Sequence, residues 1–146
     1  MASTVDILIV EDTPDDAALL LRALQRHQLA ARVAVAQDGP EALDFLFGTG
    51  AHAERRPDDR PKLVLLDLKL PRMSGLEVLG RLKADPRTRP IPVVIFTSSA
   101  QERDVAESYH AGVNSYVIKP LDWDVLAEVM RQISSYWLGL NRAAAG

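Results

Sequence analysis

The chain has 146 residues, of which 47% are hydrophobic and 25% are charged, and its formal net charge is −3 at pH 7. These values are ordinary for a globular protein of one domain, and the weak negative charge argues against direct binding to nucleic acid. No apolar run approaches a membrane span, residues 1–4 do not resemble a signal peptide, and the absence of cysteine excludes disulfides and cysteine-bound zinc. A cytoplasmic protein that binds neither nucleic acid nor membrane is therefore predicted.

Apolar runs alternate with segments of helical periodicity along the chain. The runs predict five strands, at residues 5–10, 32–36, 63–66, 91–96 and 115–118. Residues that can cap a helix stand at the expected helix starts, namely Thr13, Asp38, Ser74, Ser99 and Asp122. This alternation implies right-handed crossovers and an α/β fold, a doubly wound five-stranded parallel sheet with helices on both faces. The flavodoxin-like strand order 2-1-3-4-5 is expected.

A single domain is predicted to span residues 1–146, with its core at about 5–135 and a C-terminal extension at 136–146. A polar stretch at residues 48–61 has no apolar periodicity, so it is expected to form a long surface loop inside this domain. No internal repeat or low-complexity segment interrupts the series of strands and helices.

The extension begins with Tyr136, Trp137 and Leu138, which continue the apolar series of the last helix past the expected end of the core. Clustered aromatic and aliphatic residues of this kind are common at protein interfaces. They favour a symmetric homodimer formed through the last helix and the adjoining strand edge. The alternative is that they fold back over the protein's own edge.

Polar side chains follow four of the predicted strands, at the point where each strand ends. Glu11 and Asp12 follow the first strand, Asp67 the third, Thr97 the fourth and Lys119 the fifth. In an open α/β sheet the functional crevice lies at this edge, so these side chains should converge. Clustered carboxylates repel one another unless a cation offsets their charge, and an oxygen-rich site suits Mg²⁺. A divalent ion is therefore predicted.

An aspartate in such a site can act as a nucleophile towards phosphorus, as in enzymes that pass through an aspartyl phosphate. The three phosphoryl oxygens then need positive charge and hydrogen-bond donors, which Mg²⁺, Lys119 and Thr97 can supply. Asp67 is the expected nucleophile because it ends the central apolar strand, whose unbroken apolar sequence predicts burial on both faces. The alternative is that Asp67 only caps the loop that follows.

Taken together, these positions resemble the receiver domain of two-component response regulators. The matching residues are Glu11 and Asp12, Asp67, residues 70–75, Thr97 and Ser98, Tyr116, and Lys119 with Pro120. The resemblance covers nearly the whole chain. It implies that a histidine kinase donates a phosphoryl group to Asp67, and that the protein is a signalling domain whose phosphotransfer and dephosphorylation are self-catalysed, not a separate enzyme.

The resemblance also implies a set of metal ligands. Asp12, Asp67 and the backbone carbonyl of Lys69 would bind Mg²⁺, and Glu11 would act mainly through metal-bound water. Lys69 stands two residues past the phosphoacceptor, at a position thought to tune hydrolysis, so the lifetime of the phosphorylated state is left open. Many receivers have an acid where Ser74 stands, and serine still caps the helix there.

Further roles are implied at the phosphoryl group. Thr97 and Lys119 would contact it, and Tyr116 would be the switch aromatic, which turns inward when the threonine moves onto the phosphoryl group. The bond between Lys119 and Pro120 is expected to be cis. Proline makes a cis bond inexpensive, and a tight turn there would aim the ammonium at Asp67.

The long loop, residues 85–93 and the ending at residues 136–138 resemble the stand-alone regulators that are paired with phytochrome kinases. This narrower resemblance implies a bacterial phytochrome as the histidine kinase partner. No DNA-binding domain is expected after Leu140. Output by contact with another protein, or by onward phosphotransfer, is therefore expected.

Three other functions compete with this interpretation. A degenerate receiver that acts only as a scaffold normally lacks one of the key residues, and all are present here. A hydrolase of the haloacid dehalogenase type has a second aspartate two residues after the nucleophile, where this chain has Lys69. A flavin carrier must receive phosphate in its first strand-to-helix loop, and the acids at residues 11–16 would repel it.

Overall fold

The computed structural model describes residues 5–26 and 32–144. One parallel sheet contains five strands in the order β2-β1-β3-β4-β5, so the predicted doubly wound topology is confirmed. The strands are β1 (Ile7–Val10), β2 (Val33–Ala36), β3 (Leu63–Leu66), β4 (Val93–Thr97) and β5 (Ser115–Ile118). No helix in the described ranges is long and apolar enough to cross a membrane.

Five helices connect or follow the strands. They are α1 (Pro14–Arg26), α2 (Gly39–Phe47), α3 (Gly75–Ala84), α4 (Glu102–His110) and α5 (Trp123–Ser134). The predicted caps form at three of them: Asp38 accepts from the Glu41 amide, Ser74 from the Glu77 amide, and Asp122 from two amides of α5. The expected Ser99 cap of α4 is wrong, because α4 begins at Glu102 with Gln101 at its N-cap. Ser99 lies two residues earlier, where its Oγ accepts from the Gln101 amide at 3.4 Å and its hydroxyl donates to Asp104.

Two apolar layers cover the two faces of the sheet. Successive side chains of a strand point to opposite faces, so Leu8 and Val64 pack with α2 and α3, whereas Ile9 and Leu65 pack with α1 and α5. Every residue of β1 and β3 is buried. The central strands thus form a fully buried base whose carboxyl ends carry the acidic residues.

Arg55 is the most extensively bound of the residues that join the loop at 48–61 to α2, where Thr49 also donates to Asp44 and the His52 ring packs edge-on against Phe45. The Arg55 guanidinium lies 3.7 Å from the centre of the Phe45 ring, and it donates to the Phe45 carbonyl oxygen at 2.5 Å and to the Asp59 carbonyl oxygen at 2.9 Å. Gly48, with a φ of 66°, ends α2 in the left-handed conformation and turns the chain into this loop. A short 3₁₀ turn, Gly50–His52, follows.

The chain continues from α5 into a π-helical turn, Ser135–Leu140. Trp137 and Leu138 are half-buried and pack against the apolar layer of α1 and α5. Tyr136 and Leu140 keep 48% and 80% of their surface exposed. Part of the apolar ending thus folds over the protein's own edge, and part of it remains available for a partner.

Candidate functional site

Three carboxylates meet at the carboxyl end of the sheet. Glu11 and Asp12 directly follow β1, and Asp67 directly follows β3, which is the neighbouring strand. The Asp67 amide donates to the Val10 carbonyl oxygen at 3.2 Å, which extends the contact between the two strands by one residue. Each acid offers an oxygen, and these oxygens all lie within 4.8 Å of one another. Oxygens of this kind are the ligands that hard divalent cations prefer, so the residues fit such an ion.

The Lys119 ammonium lies between two of these acids. Its Nζ donates to Glu11 Oε1 at 2.6 Å and to Asp67 Oδ2 at 2.9 Å. Burial acts to lower the pKa of Lys119, but hydrogen bonds to both acids and their charges outweigh burial, so the pKa is raised. The ammonium therefore stays charged and offsets part of the repulsion among the acids.

The bond between Lys119 and Pro120 is trans, and the structure contains no cis peptide bond among its described residues. The cis bond expected from the sequence is therefore wrong. A trans bond before proline is favoured by about 0.5–1 kcal/mol. The long lysine side chain reaches both acids without a cis turn, while the Lys119 amide donates to the Thr97 carbonyl oxygen at 2.7 Å.

Glu11 and Asp12 are adjacent in the sequence but differ in their surroundings. The Glu11 side chain is only 2% exposed, whereas Asp12 is exposed to solvent. Burial raises the pKa of Glu11, and the contact with Lys119 offsets part of that effect. The Asp12 amide donates to Glu11 Oε2 at 3.0 Å. Glu11 is thus an acid held inside the site, while Asp12 lies at its mouth.

Thr97 and Tyr116 lie on the neighbouring strands β4 and β5 and are joined through Ser99. Thr97 is fully buried, and its Oγ1 accepts from the Ser99 amide at 3.3 Å. The Tyr116 hydroxyl donates to the Ser99 carbonyl oxygen at 2.9 Å. Burial raises the pKa of Tyr116. The ring is half-buried against the apolar layer of α2 and α3, so Tyr116 occupies an inward position.

Lys69 and Gly75 both lie close to Asp67, and both contact the site through their main-chain amides. The Lys69 amide donates to Asp67 Oδ1 at 3.3 Å, while the Lys69 side chain is exposed. Gly75 was not predicted as a site residue, yet its amide donates to the Leu68 carbonyl oxygen at 2.8 Å. The sequence does contain a signal for Gly75, because a helix does not need a glycine directly after its N-cap residue, here Ser74.

A family model described as the response regulator receiver domain matches residues 7–131. The probable methanogenesis regulatory protein FilR2 of Methanothrix harundinacea is 42% identical over 137 residues, which cover 94% of this chain and 86% of that protein. Response regulator Rcp1 of Synechocystis sp. is 39% identical over 132 residues, which cover 90% of this chain and 88% of that protein.

Solved structures agree with these matches. The crystal structure of the phosphorylated cyanobacterial phytochrome response regulator RcpA gives a TM-score of 0.89 at 34% identity, covering 98% of this chain and 100% of that one. The crystal structure of the Mn²⁺-bound form of Rcp1 gives a TM-score of 0.86 at 35% identity, covering 97% and 99%. The similarity thus extends over almost the full length of both chains.

Proposed function

Because this chain belongs to the response regulator receiver family and is therefore a phosphoacceptor domain of two-component signalling, we propose that Asp67 is the carboxylate that accepts the phosphoryl group. The observation that carries this proposal is the contact of Asp67 Oδ2 with Lys119 Nζ at 2.9 Å, beside the oxygens of Glu11 and Asp12. Glu11 is buried behind Lys119, and Asp12 is exposed at the mouth of the site. Of these three acids, Asp67 combines partial exposure with a neighbouring cation.

The transfer is a displacement at phosphorus. A carboxylate oxygen of Asp67 attacks the phosphorus of a phosphohistidine, the bond between phosphorus and nitrogen breaks, and its electron pair leaves with the imidazole nitrogen, which takes up a proton. Lys119 is placed to offset the charge of the phosphoryl oxygens, and the Thr97 hydroxyl can donate to one of them. We propose that Tyr116 is the switch aromatic, and that the inward position it has in this structure is the one favoured when Thr97 contacts the phosphoryl group. Autophosphorylation from small phosphodonors belongs to the same proposal.

We infer that the divalent ion is Mg²⁺, held by Asp12, Asp67 and the Lys69 carbonyl, with Glu11 acting through water. The close carboxylate oxygens support this inference, and one relative, Rcp1, has been crystallised with Mn²⁺. Once bound, the ion supplies charge that stabilises the transferring phosphoryl group. The Asp12→Ala substitution should abolish phosphorylation and, by removing a repulsion, raise the unfolding temperature of the metal-free protein. Asp15→Ala, which removes an exposed acid of α1, should change neither.

Beryllofluoride, a mimic of the phosphoryl group, tests the role of Asp67. With Mg²⁺ present it should raise the unfolding temperature of the wild type, because a ligand that binds only the folded state stabilises it. Asp67→Asn should lose this rise, whereas Asp58→Asn, in the exposed loop, should keep it. An equal rise in Asp67→Asn would refute the assignment.

The partner of a receiver domain is a histidine kinase, and we propose a bacterial phytochrome kinase as the specific donor for this chain. The support is the likeness to RcpA, which is described as a phytochrome response regulator. FilR2, named as a probable methanogenesis regulatory protein, is 42% identical to this chain, against 34% for RcpA. Because identity alone does not select the kinase, the test is direct transfer. A purified phytochrome kinase carrying labelled phosphate should lose its label to the wild type within minutes and not to Asp67→Asn. The cytoplasmic location and the single domain over residues 1–146 stay predictions.

We also propose that the protein forms a dimer through α5, the π-helical turn and the β5 edge. β5 is the last strand of the sheet, and exposed apolar side chains extend from it, namely Ile118, Leu121, Val125, Tyr136 and Leu140. Light scattering should give the mass of a dimer at micromolar concentrations. Tyr136→Ala should weaken it, whereas Tyr109→Ala, equally exposed on α4, should not. A monomer with and without beryllofluoride would contradict the proposal.

A further inference from the structure

Ser99 joins three parts of the molecule through three different groups. Its amide donates to Thr97 Oγ1 at 3.3 Å, and its carbonyl oxygen accepts from the Tyr116 hydroxyl at 2.9 Å. Its own hydroxyl donates to Asp104 Oδ2 at 2.5 Å. Ser99 therefore connects the hydroxyl at the end of β4, the aromatic side chain of β5 and the first turn of α4.

The hydrogen bond from the Ser99 hydroxyl to Asp104 anchors the loop at residues 98–101, which leads into α4. Gln101 stands at the N-cap and makes no side-chain capping bond, while its amide donates to Ser99 Oγ at 3.4 Å. The bond from the Ser99 hydroxyl to Asp104 attaches this loop to the first turn of α4, and bonds from a hydroxyl to a carboxylate are short and strong. The main chain of Asp104 is itself fixed, because its carbonyl oxygen accepts from the buried Ser108 hydroxyl at 2.7 Å.

We propose that Asp104 is a positioning residue that acts through Ser99 and holds residues 98–101 in the conformation whose carbonyl oxygen receives Tyr116. This inference rests on the proposed roles of Thr97 and Tyr116, but it concerns a side chain outside the phosphoryl site. Without the hydrogen bond between Ser99 and Asp104, the Ser99 carbonyl is free to turn. Tyr116 then loses the oxygen that accepts from its hydroxyl in the inward position. The balance between inward and outward Tyr116 then shifts, while the contact between Asp67 and Lys119 persists.

Fluorine NMR of the full chain labelled with 3-fluorotyrosine follows this balance directly. The chain contains three tyrosines, and Tyr116→Phe identifies the resonance of interest. In Ser99→Ala and in Asp104→Ala, the ratio of inward to outward Tyr116 should fall about tenfold, the effect of one charge-assisted hydrogen bond. The double variant should fall no further than Ser99→Ala, because Asp104 acts through the Ser99 hydroxyl. Asp104→Asn keeps an oxygen that can accept from Ser99 and should restore most of the inward population.

Glu102→Ala is the matched control, because Glu102 is an exposed acid in the same first turn of α4. It removes the same charge from the helix start without touching the loop, so the Tyr116 resonance should stay at its wild-type position. An unchanged resonance in both Ser99→Ala and Asp104→Ala, or an equal shift in Glu102→Ala, overturns the proposal.

Thermal unfolding of the same samples with Mg²⁺ and beryllofluoride separates this proposal from the proposed function. A wild type that gains no stability from beryllofluoride contradicts the role of the phosphoryl site. A wild type that gains stability, together with a Tyr116 resonance unaffected by loss of the Ser99 bond, contradicts only the role of Asp104. A stabilised wild type and a shifted resonance support both.

Discussion

Gly75 lies directly against the main chain of Asp67. A Cβ atom at Gly75 would overlap the Asp67 carbonyl oxygen and lie 2.7 Å from the Leu68 Cα, and main-chain atoms cannot swing aside as a flexible side chain can. Gly75→Ala should therefore displace Asp67, slow phosphorylation strongly and cost about 1–3 kcal/mol of unfolding free energy, as overpacking does. Acetyl phosphate labelling and urea unfolding measure the two effects.

Gly80 provides the control in the same helix. A Cβ atom there would meet nothing within 4 Å, and the position is exposed. Gly80→Ala should leave phosphorylation unchanged and stabilise the protein by up to about 1 kcal/mol, because alanine favours helix. A rate of phosphorylation in Gly75→Ala equal to that of the wild type would show that the close approach of Gly75 to the main chain has no part in placing Asp67.

Lys119 and Lys83 are both partly buried, yet their pKa values should move in opposite directions. Burial lowers the pKa of Lys83, whose ammonium donates to three uncharged oxygens. Burial acts on Lys119 in the same sense, but the bonds and charges of Glu11 and Asp67 outweigh it and raise the pKa. Carbon NMR of the lysine Cε atoms should give a midpoint below 10.5 for Lys83 and above 10.5 for Lys119.

The raised pKa of Lys119 determines how its contribution to the free energy of unfolding depends on pH. The contribution of Lys119 to the free energy of unfolding is fully present below the ordinary value of 10.5 and is lost as pH rises through the folded value. Combining Glu11→Gln with Asp67→Asn leaves only burial, so the Lys119 midpoint should fall below 10.5 while that of Lys83 stays fixed. A Lys119 midpoint that stays above 10.5 in this variant would show that the two acids do not cause the raised pKa.

Arg55 and Arg56 are adjacent in the sequence but should contribute very differently to the free energy of unfolding. The Arg55 side chain is 11% exposed and joins the loop to α2, whereas that of Arg56 is 76% exposed and pairs with Asp58 at the surface. Arg55→Ala removes two charge-assisted bonds and a contact with Phe45, so we expect a loss of about 2–3 kcal/mol. Arg56→Ala should change the unfolding free energy by less than about 0.5 kcal/mol. Equal effects in urea unfolding would mean that Arg55 does not anchor the loop.

Local signals account for the parts of the fold that the sequence predicts well. The strand order follows from alternating strands and helices, and the caps of α2, α3 and α5 follow from a serine or aspartate at a helix start. The cap expected at Ser99 is wrong because α4 begins two residues later, with Gln101 at its N-cap. The residue at which this helix begins depends on the folded loop before it and is not marked by a capping pattern.

The features that the sequence did not reveal depend on distant contacts. Glu11 is buried because Lys119, 108 residues away, provides its charge partner. Loop composition predicts the surface stretch at residues 48–61 but not the contact of Arg55 with Phe45 that helps to join it to α2. Likewise, the sequence does not show that Trp137 and Leu138 pack against the apolar layer of α1 and α5, and their part in an interface stays a prediction.

The most direct test of the central claim maps the phosphorylated residue. Borohydride reduces an acyl phosphate to an alcohol, which converts phosphorylated aspartate to homoserine. Trypsin should release residues 63–69, in which Asp67 is the only side-chain carboxylate, while Glu11 and Asp12 remain together in the peptide of residues 1–22. Mass spectrometry after phosphorylation with acetyl phosphate and Mg²⁺ should find homoserine at position 67 in the wild type and none in Asp67→Asn. Homoserine at position 12, or an unmodified peptide 63–69 in phosphorylated protein, would contradict the account.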